Sequence, residues 1–261
     1  MTPLTDGVHR RRSASPADDR LEFETRNRGR IAEMAGDARL RALTAEWFAR
    51  SSGHEYPYHF TWLGLPVIQF PQDLVAMQEI VWRVRPDVIV ETGVARGGSV
   101  VFYASLLGMI GGAGRVIGVD VDVRAHNRAA IEASPVADRI TLVDGSSVDP
   151  VTVRRVHELA GGARACVVAL DSNHTHDHVL AELQAYSPLV KIGGYLVVFD
   201  TSLERLPAGV IGDRAWSQRD NPATAVRAFL ATTPRFVVDQ EIERKLLITE
   251  CPGGYLKCIA D

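Results

Sequence analysis

The chain has 261 residues, 46% hydrophobic and 23% charged, a length and balance that suit one large α/β domain with a short extra segment. With 29 Lys and Arg against 32 Asp and Glu the formal net charge is −3, which gives no electrostatic reason to expect nucleic acid or an anionic membrane as the main partner. Cys166, Cys251 and Cys258 form no CxxC pair and no zinc spacing, and the longest apolar stretch, residues 189–199, is interrupted by Lys191 and glycines. These features predict a soluble protein of the reducing cytoplasm.

In chain order, residues 1–20 are expected to be a disordered tail. His9, Arg10, Arg11 and Arg12 are followed by Ser, Pro, Ala and Asp, not by the apolar run of a secretion signal. From Leu21 to about Arg50, Ile31, Met34, Leu40, Leu43 and Trp47 recur at helical spacing and predict one apolar stripe. An aromatic and proline-containing loop follows, from His54 to Trp62, and Pro66 and Pro71 bracket an extended piece. Residues 21–71 are therefore expected to form a lid or an oligomer arm.

Residues 72–261 alternate helix and strand as βαβ units do. A helix over 72–84 leads into a buried strand at 87–91, and a helix over 98–109 precedes a strand at 116–120. Further strands are predicted at 140–143, 165–170 and 195–199, while 236–238 and 245–249 predict an antiparallel edge hairpin. The expected fold is α/β: a mostly parallel seven-stranded sheet with an antiparallel C-terminal hairpin and helices on both faces.

In such a sheet, ligands bind beyond the carboxyl ends of the strands. After the first strand stands Glu91-Thr92-Gly93-Val94-Ala95-Arg96-Gly97-Gly98-Ser99, with three glycines in the turn where a ligand would approach the backbone. The spacing is Glu-x-Gly-x-x-x-Gly, which is neither the dinucleotide fingerprint nor a P-loop. It resembles the first motif of the Rossmann-like, class I methyltransferases, whose cofactor S-adenosylmethionine has no phosphates. That resemblance implies that Glu91, Thr92, Gly93, Gly97 and Ser99 cradle the cofactor. It also implies that Asp120, or else Asp122, bonds the ribose hydroxyls and that Ser146 and Ser147 flank the adenine. Taken singly, a glycine turn serves any strand-to-helix corner and an Asp after a strand is often an N-cap. Their order and spacing give the reading its weight.

Methyl transfer to a hydroxyl requires the acceptor oxygen to be held against the sulfonium methyl and its proton to be removed. The fourth strand ends in Leu170-Asp171-Ser172-Asn173-His174-Thr175-His176-Asp177-His178, and the fifth in Phe199-Asp200-Thr201. If those strands are neighbours, Asp171 and Asp200 project into one cleft and can share magnesium, a cation that prefers oxygen ligands. Each has another reading: Asp171 as a partner of the cofactor's amino group, Asp200 as a loop-orienting residue. His174 is the candidate general base. His176 and His178 fall where the next helix begins and are expected to be structural, with Thr175 or Asp177 as the cap.

These segments resemble the cephalosporin hydroxylase/rhamnosyl O-methyltransferase family from about Tyr58 to Asp261. The motifs that carry the resemblance are Thr61-Trp62-Leu63-Gly64 with Pro66 and Pro71, then residues 91–99, 170–174 and 198–201. Asn221-Pro222-Ala223-Thr224-Ala225-Val226, residues 245–249 and Gly254-Tyr255-Leu256-Lys257 complete them. The resemblance implies a homo-oligomeric methyltransferase acting on a sugar hydroxyl, such as that of a nucleotide-linked deoxysugar (dTDP-rhamnose) or a glycosylated natural product, in antibiotic or surface-sugar biosynthesis. Several such relatives hold magnesium with acidic residues at the ends of strands four and five. Where they carry Glu-Asp, this chain reads Phe199-Asp200, so one expected oxygen ligand is absent. The long insertion at 203–220, with Arg205, Asp213, Arg214, Trp216 and Arg219, could contact a diphosphate or an acidic sugar, and equally could be solvated surface. Two other readings compete: an oxidative tailoring enzyme on the same fold, and a non-catalytic subunit that keeps the cofactor pocket.

Overall fold

The computed structural model describes residues 16–206 and 215–261. Residues 1–15 of the expected tail, and Asp213 and Arg214 of the insertion, lie outside the described residues. Residues 16–20 already belong to helix α1 (Pro16–Gly36), and the single expected helix is divided at Asp37, whose side chain accepts the Leu40 N–H and opens α2 (Ala38–Ser52).

Two short strands, β1 (Thr61–Trp62) and β2 (Leu65–Pro66), pair antiparallel beside the start of the main domain. Then follow α3 (Pro71–Val84), β3 (Val88–Thr92), α4 (Gly98–Ile110), β4 (Arg115–Asp120), α5 (Ala125–Glu132) and β5 (Ile140–Asp144). The chain continues through α6 (Pro150–Ala160), β6 (Cys166–Leu170), α7 (His176–Tyr186) and β7 (Tyr195–Val198). It ends with α8 (Pro222–Thr232), β8 (Phe236–Val238), α9 (Gln240–Leu246) and β9 (Tyr255–Cys258).

The sheet runs β5-β4-β3-β6-β7-β9-β8, parallel except where β9 meets β7 and β8. Its strands alternate between two cores, as a period of two dictates. Ile89, Val116, Val167, Ala169, Tyr195 and Val197 face the layer of α3 and α4. Val88, Val90, Ile117, Val168, Leu196 and Val198 face α6, α7 and α8. The strand order reverses between β3 and β6, and this switch point opens a crevice at their carboxyl ends.

The predicted edge hairpin is corrected in one partner. β8 pairs with β9 at Tyr255–Cys258, whereas Lys245 and Leu246 complete α9. Asp239 caps that helix, with Glu241 and Glu243 in its first turn and Arg244 and Lys245 in its last, so charge placement favours the helix there. The apolar run at 246–249 marks instead the end of α9 and a half-buried irregular passage, which turns at Leu247 (φ +59°) and is tied down by Asp73. The fully buried Asp73 carboxylate accepts hydrogen bonds from Thr249 Oγ1, the Glu250 N–H and the Tyr255 hydroxyl, and thus joins the start of α3 to the C-terminal segment. Burial raises its pKa to about 6.

Candidate active site

The head of β3 supplies the first part of the site. Gly93 (φ +89°) and Gly97 (φ +86°) hold backbone conformations that favour glycine, but the space around them is filled by protein. A Cβ at Gly93 would lie 2.0 Å from the Asp171 carbonyl oxygen, one at Gly97 2.4 Å from the Ile131 side chain, and one at Gly98 2.3 Å from the Pro66 carbonyl oxygen. The three glycines expected for close ligand approach thus also make room for neighbouring protein: the backbone after β6, the Ile131 side chain of α5 and the backbone of β2.

Asp120, at the end of β4, fastens this turn. Its Oδ2 accepts the Val94 and Ala95 N–H groups at 2.9 and 3.0 Å, and its Oδ1 accepts the Asp122 N–H at 3.0 Å. The acid placed by sequence beside a ribose therefore also shapes the loop that would meet it. Asp122 is exposed. Ser147 is buried, with Oγ 3.0 Å from His178 Nε2, while Ser146 is half-buried in the turn after β5. His178 further meets Glu182 at 3.6 Å and Ser172 at 3.3 Å, and the Ser172 hydroxyl donates to Glu182.

Glu91 is wholly buried; Ser99 Oγ donates to its Oε2 at 2.9 Å. Its Oε1 and the neighbouring Thr92 Oγ1 have no hydrogen-bond partner among the described residues. Burial raises the Glu91 pKa from 4.5 to about 8, with the Asp120 charge adding to the rise and the Ser99 bond opposing it. A folded-state pKa above the unfolded one means that the native state binds the extra proton. The associated stability is complete below about pH 4.5 and is lost as pH rises toward 8. Glu91→Gln is expected to flatten this dependence, read as melting temperature against pH between 5 and 8; an unchanged slope would assign the dependence to other groups.

A cavity of about 280 Å³ opens where β3, β6 and β7 end. Gly93, Val94, Ala95, Ser99, Asp171 and Ser172 line one wall, and His174, Asp200, Leu203, Trp216 and Glu250 another. Phe48, Ser52, Glu55, Pro57, Tyr58, Val67, Ile68 and Phe70 close it from the N-terminal side. Of the remaining residues predicted to meet the cofactor, Glu91, Thr92, Gly97, Asp120, Asp122, Ser146 and Ser147 do not line this cavity. The aromatic loop serves two purposes: Tyr56 packs edge-to-face on Trp47, Phe60 and Phe70, while Pro57 and Tyr58 line the cavity.

Asp171, His174 and Asp200 converge. One ligand atom from each lies within 4.8 Å of the others, and His174 Nδ1 is 3.3 Å from Asp200 Oδ2. Asp200 adopts φ +57°, a region that Asp tolerates better than most residues. Burial, and then the charges of Asp200 and Glu91, raise the Asp171 pKa well above the ordinary carboxylate range. His174 also stands edge-on to Trp216, with ring centroids 6.4 Å apart.

His176 and His178 do not join this set. His176 Nδ1 lies 2.8 Å from Thr224 Oγ1, and the His176 N–H donates to Asp220 Oδ1 at 2.5 Å. That distant carboxylate, not the Thr175 or Asp177 side chain, caps the start of α7. Arg205 pairs with Glu243 and does not line the cavity, while Arg219 is exposed.

Three contributors were not read from the sequence. Gln69 Nε2 donates to Asp171 Oδ2 at 3.3 Å, Glu250 reaches the cavity from the segment before β9, and Asp73 holds that segment in place. Gln69 was visible only as a polar residue between Pro66 and Pro71, and Glu250 only as an acid closing an apolar run. Arg and Lys are absent from the cavity lining among the described residues, whereas Glu55, Asp171, Asp200 and Glu250 all contribute to it. Such a lining suits a cationic ligand.

The reversed seven-stranded sheet, the glycine turn after its first central strand and the acid that fastens that turn define a Rossmann-like, S-adenosylmethionine-dependent methyltransferase. More particularly, the chain belongs to the rhamnosyl O-methyltransferase/CmcI family, whose model matches residues 54–259. It is 30% identical over 241 residues to the rhamnosyl O-methyltransferase of Mycobacterium tuberculosis (strain ATCC 25618 / H37Rv), covering 87% of this chain and 94% of that protein. A Mycobacterium leprae (strain TN) protein of the same description is 30% identical over 148 residues, covering 56% and 62%. Among solved structures, an apo form of CmcI aligns with TM-score 0.57 and 22% identity over 78% of each chain. A CmcI structure described as containing Mg and SAM aligns with TM-score 0.53 and 20% identity over 78% of each. The protein is thus an S-adenosylmethionine-dependent O-methyltransferase. No helix among the described residues is long and apolar enough to cross a membrane, and all three cysteines are free and buried.

Proposed function

We propose that this enzyme methylates a sugar hydroxyl, on a nucleotide-linked deoxysugar or a glycosylated natural product, with Asp171 and Asp200 holding a magnesium ion and His174 acting as the base. The observation that carries the reading is the convergence of Asp171, His174 and Asp200 in the cavity that Gly93, Val94 and Ala95 also line. The name of the mycobacterial relatives and the Mg and SAM of the CmcI structure support it.

The residues fit both groups. Two carboxylates and further acids, with no lining Lys or Arg among the described residues, suit a hard divalent cation beside a sulfonium. The unpartnered Glu91 Oε1 and Thr92 Oγ1 leave hydrogen-bonding capacity at the head of β3. S-adenosylmethionine supplies the methyl group, and magnesium, when bound, lowers the cost of forming an alkoxide. The chain's part is to orient and to take a proton. Asp120 fixes the 93–95 turn, Gln69 and Asp200 set Asp171 and His174, and the His174 imidazole accepts the acceptor hydroxyl's proton as the oxygen takes the methyl. The candidate metal-ligating set contains one imidazole, not the pair usual for non-haem iron, which favours methyl transfer over oxidation.

The segment at 21–71 fits a lid, since Phe48, Pro57 and Tyr58 line the cavity; exposed Leu21, Phe23 and Leu43 suit the oligomer arm. Incubation with S-adenosylmethionine, magnesium and dTDP-rhamnose or rhamnosylated acceptors is expected to give a product heavier by one transferred methyl, read by mass spectrometry. Binding of S-adenosylhomocysteine without methylation of any sugar acceptor would overturn the proposal.

A further inference from the structure

We propose that Glu250 supplies a third carboxylate to the cation site, carried to the cavity by a segment tied to the loop that follows Asp200 and remote in sequence from both strand ends. This inference rests on the magnesium reading above and adds a residue to it. Glu250 is 7% exposed and lines the same cavity as Asp171, His174 and Asp200. Its two oxygens are unequal: Oε2 accepts the Phe70 N–H at 3.1 Å, whereas Oε1 accepts no hydrogen bond among the described residues and is not sealed from the cavity. A buried carboxylate with one oxygen left over is costly unless a cation or donor meets it, and the cavity lining offers no Lys or Arg.

The placement is rigid. The Glu250 carbonyl accepts the Ser202 N–H at 3.0 Å and Thr201 Oγ1 at 3.4 Å, the two residues directly after Asp200. The Glu250 N–H donates to Asp73 Oδ2 at 2.8 Å. Glu250 is thereby bound to the loop that carries Asp200 and to the start of α3. Phe199, next to Asp200 in sequence, is 2% exposed and packs in the core with Tyr103, Val197 and Cys251, so it cannot contribute charge. Glu55, the other acid in the lining, is exposed. Of the acids that line the cavity, Glu250 alone joins burial and a spare oxygen to a backbone tied to the loop that follows Asp200.

The test is titration of the full-length protein, loaded with S-adenosylhomocysteine, with Mn2+, following free Mn2+ by electron paramagnetic resonance. Asp171→Asn is expected to abolish binding. Glu250→Gln keeps an oxygen for the Phe70 N–H and is expected to weaken Mn2+ binding about tenfold or more, with S-adenosylhomocysteine affinity and melting temperature near those of the parent. If Glu250→Gln fails to fold, Glu250→Asp, which withdraws the charge by one methylene, is read in the same way: weaker binding supports the role and parental affinity overturns it. Mn2+ affinity unchanged in the glutamine variant removes Glu250 from the site while leaving Asp171 and Asp200 in it. No saturable Mn2+ site in the parent overturns the magnesium reading and this inference with it.

Discussion

His174→Ala is expected to lower turnover on the order of a hundredfold or more while leaving the affinity for S-adenosylhomocysteine nearly unchanged. The loss falls on turnover because the proposed role of the imidazole is to take the proton of the acceptor hydroxyl, whereas the 93–95 turn is fastened by Asp120 and makes no contact with His174 through those bonds. His174 also belongs to the set of groups that could ligate a metal, and the two roles separate experimentally. A base can be removed with Mn2+ affinity intact; loss of Mn2+ binding in His174→Ala would make the imidazole a ligand instead. An unchanged turnover would remove it from both roles. Asp200, 3.3 Å from Nδ1, orients the ring.

Gly93→Ala is expected to cost about 3 kcal/mol or more of stability, from a disfavoured positive φ together with overpacking. The added Cβ would stand 2.0 Å from the Asp171 carbonyl oxygen, and that obstacle is backbone, not the tip of a mobile side chain. Relief requires β3 and β6 to part at their carboxyl ends, where the Asp171 N–H donates to the Thr92 carbonyl. The variant should therefore lose S-adenosylhomocysteine binding and its melting temperature should fall by roughly 6–12 °C, both read from thermal-shift curves with and without that ligand. A variant that melts and binds as the parent does would show that the turn can relax without moving Asp171.

How much of this was legible in the sequence depended on how local the cause was. β3 and β6 are short β-branched runs buried on both faces, and such runs declare themselves without reference to the rest of the chain. The acids and imidazole that follow β6 and β7 could be placed together once the sheet was assumed parallel. The run at 246–249 misled because packing of half-buried side chains against the core, not strand pairing, explains its apolar character, and Lys245 and Leu246 belong to the capped helix before it. Gln69, Asp73 and Glu250 escaped because their partners lie more than a hundred residues away: Asp171, Thr249 and Tyr255, and Phe70. Asp120 and the glycines were identified by type, and the structure gives them a further part in holding the loops around the turn. The acid holds loop amides, and the missing side chains make room for protein.

The tie between Asp73 and the segment leading into β9 also bears on synthesis. A ribosome-bound chain that has emerged through β7 already owns the turn fastened by Asp120 and the histidine, yet Glu250, which lines the same pocket, is still to come. The pocket becomes whole only when the last strand slides between β7 and β8, so the enzyme should emerge from translation inert and acquire its ligand in a single late event.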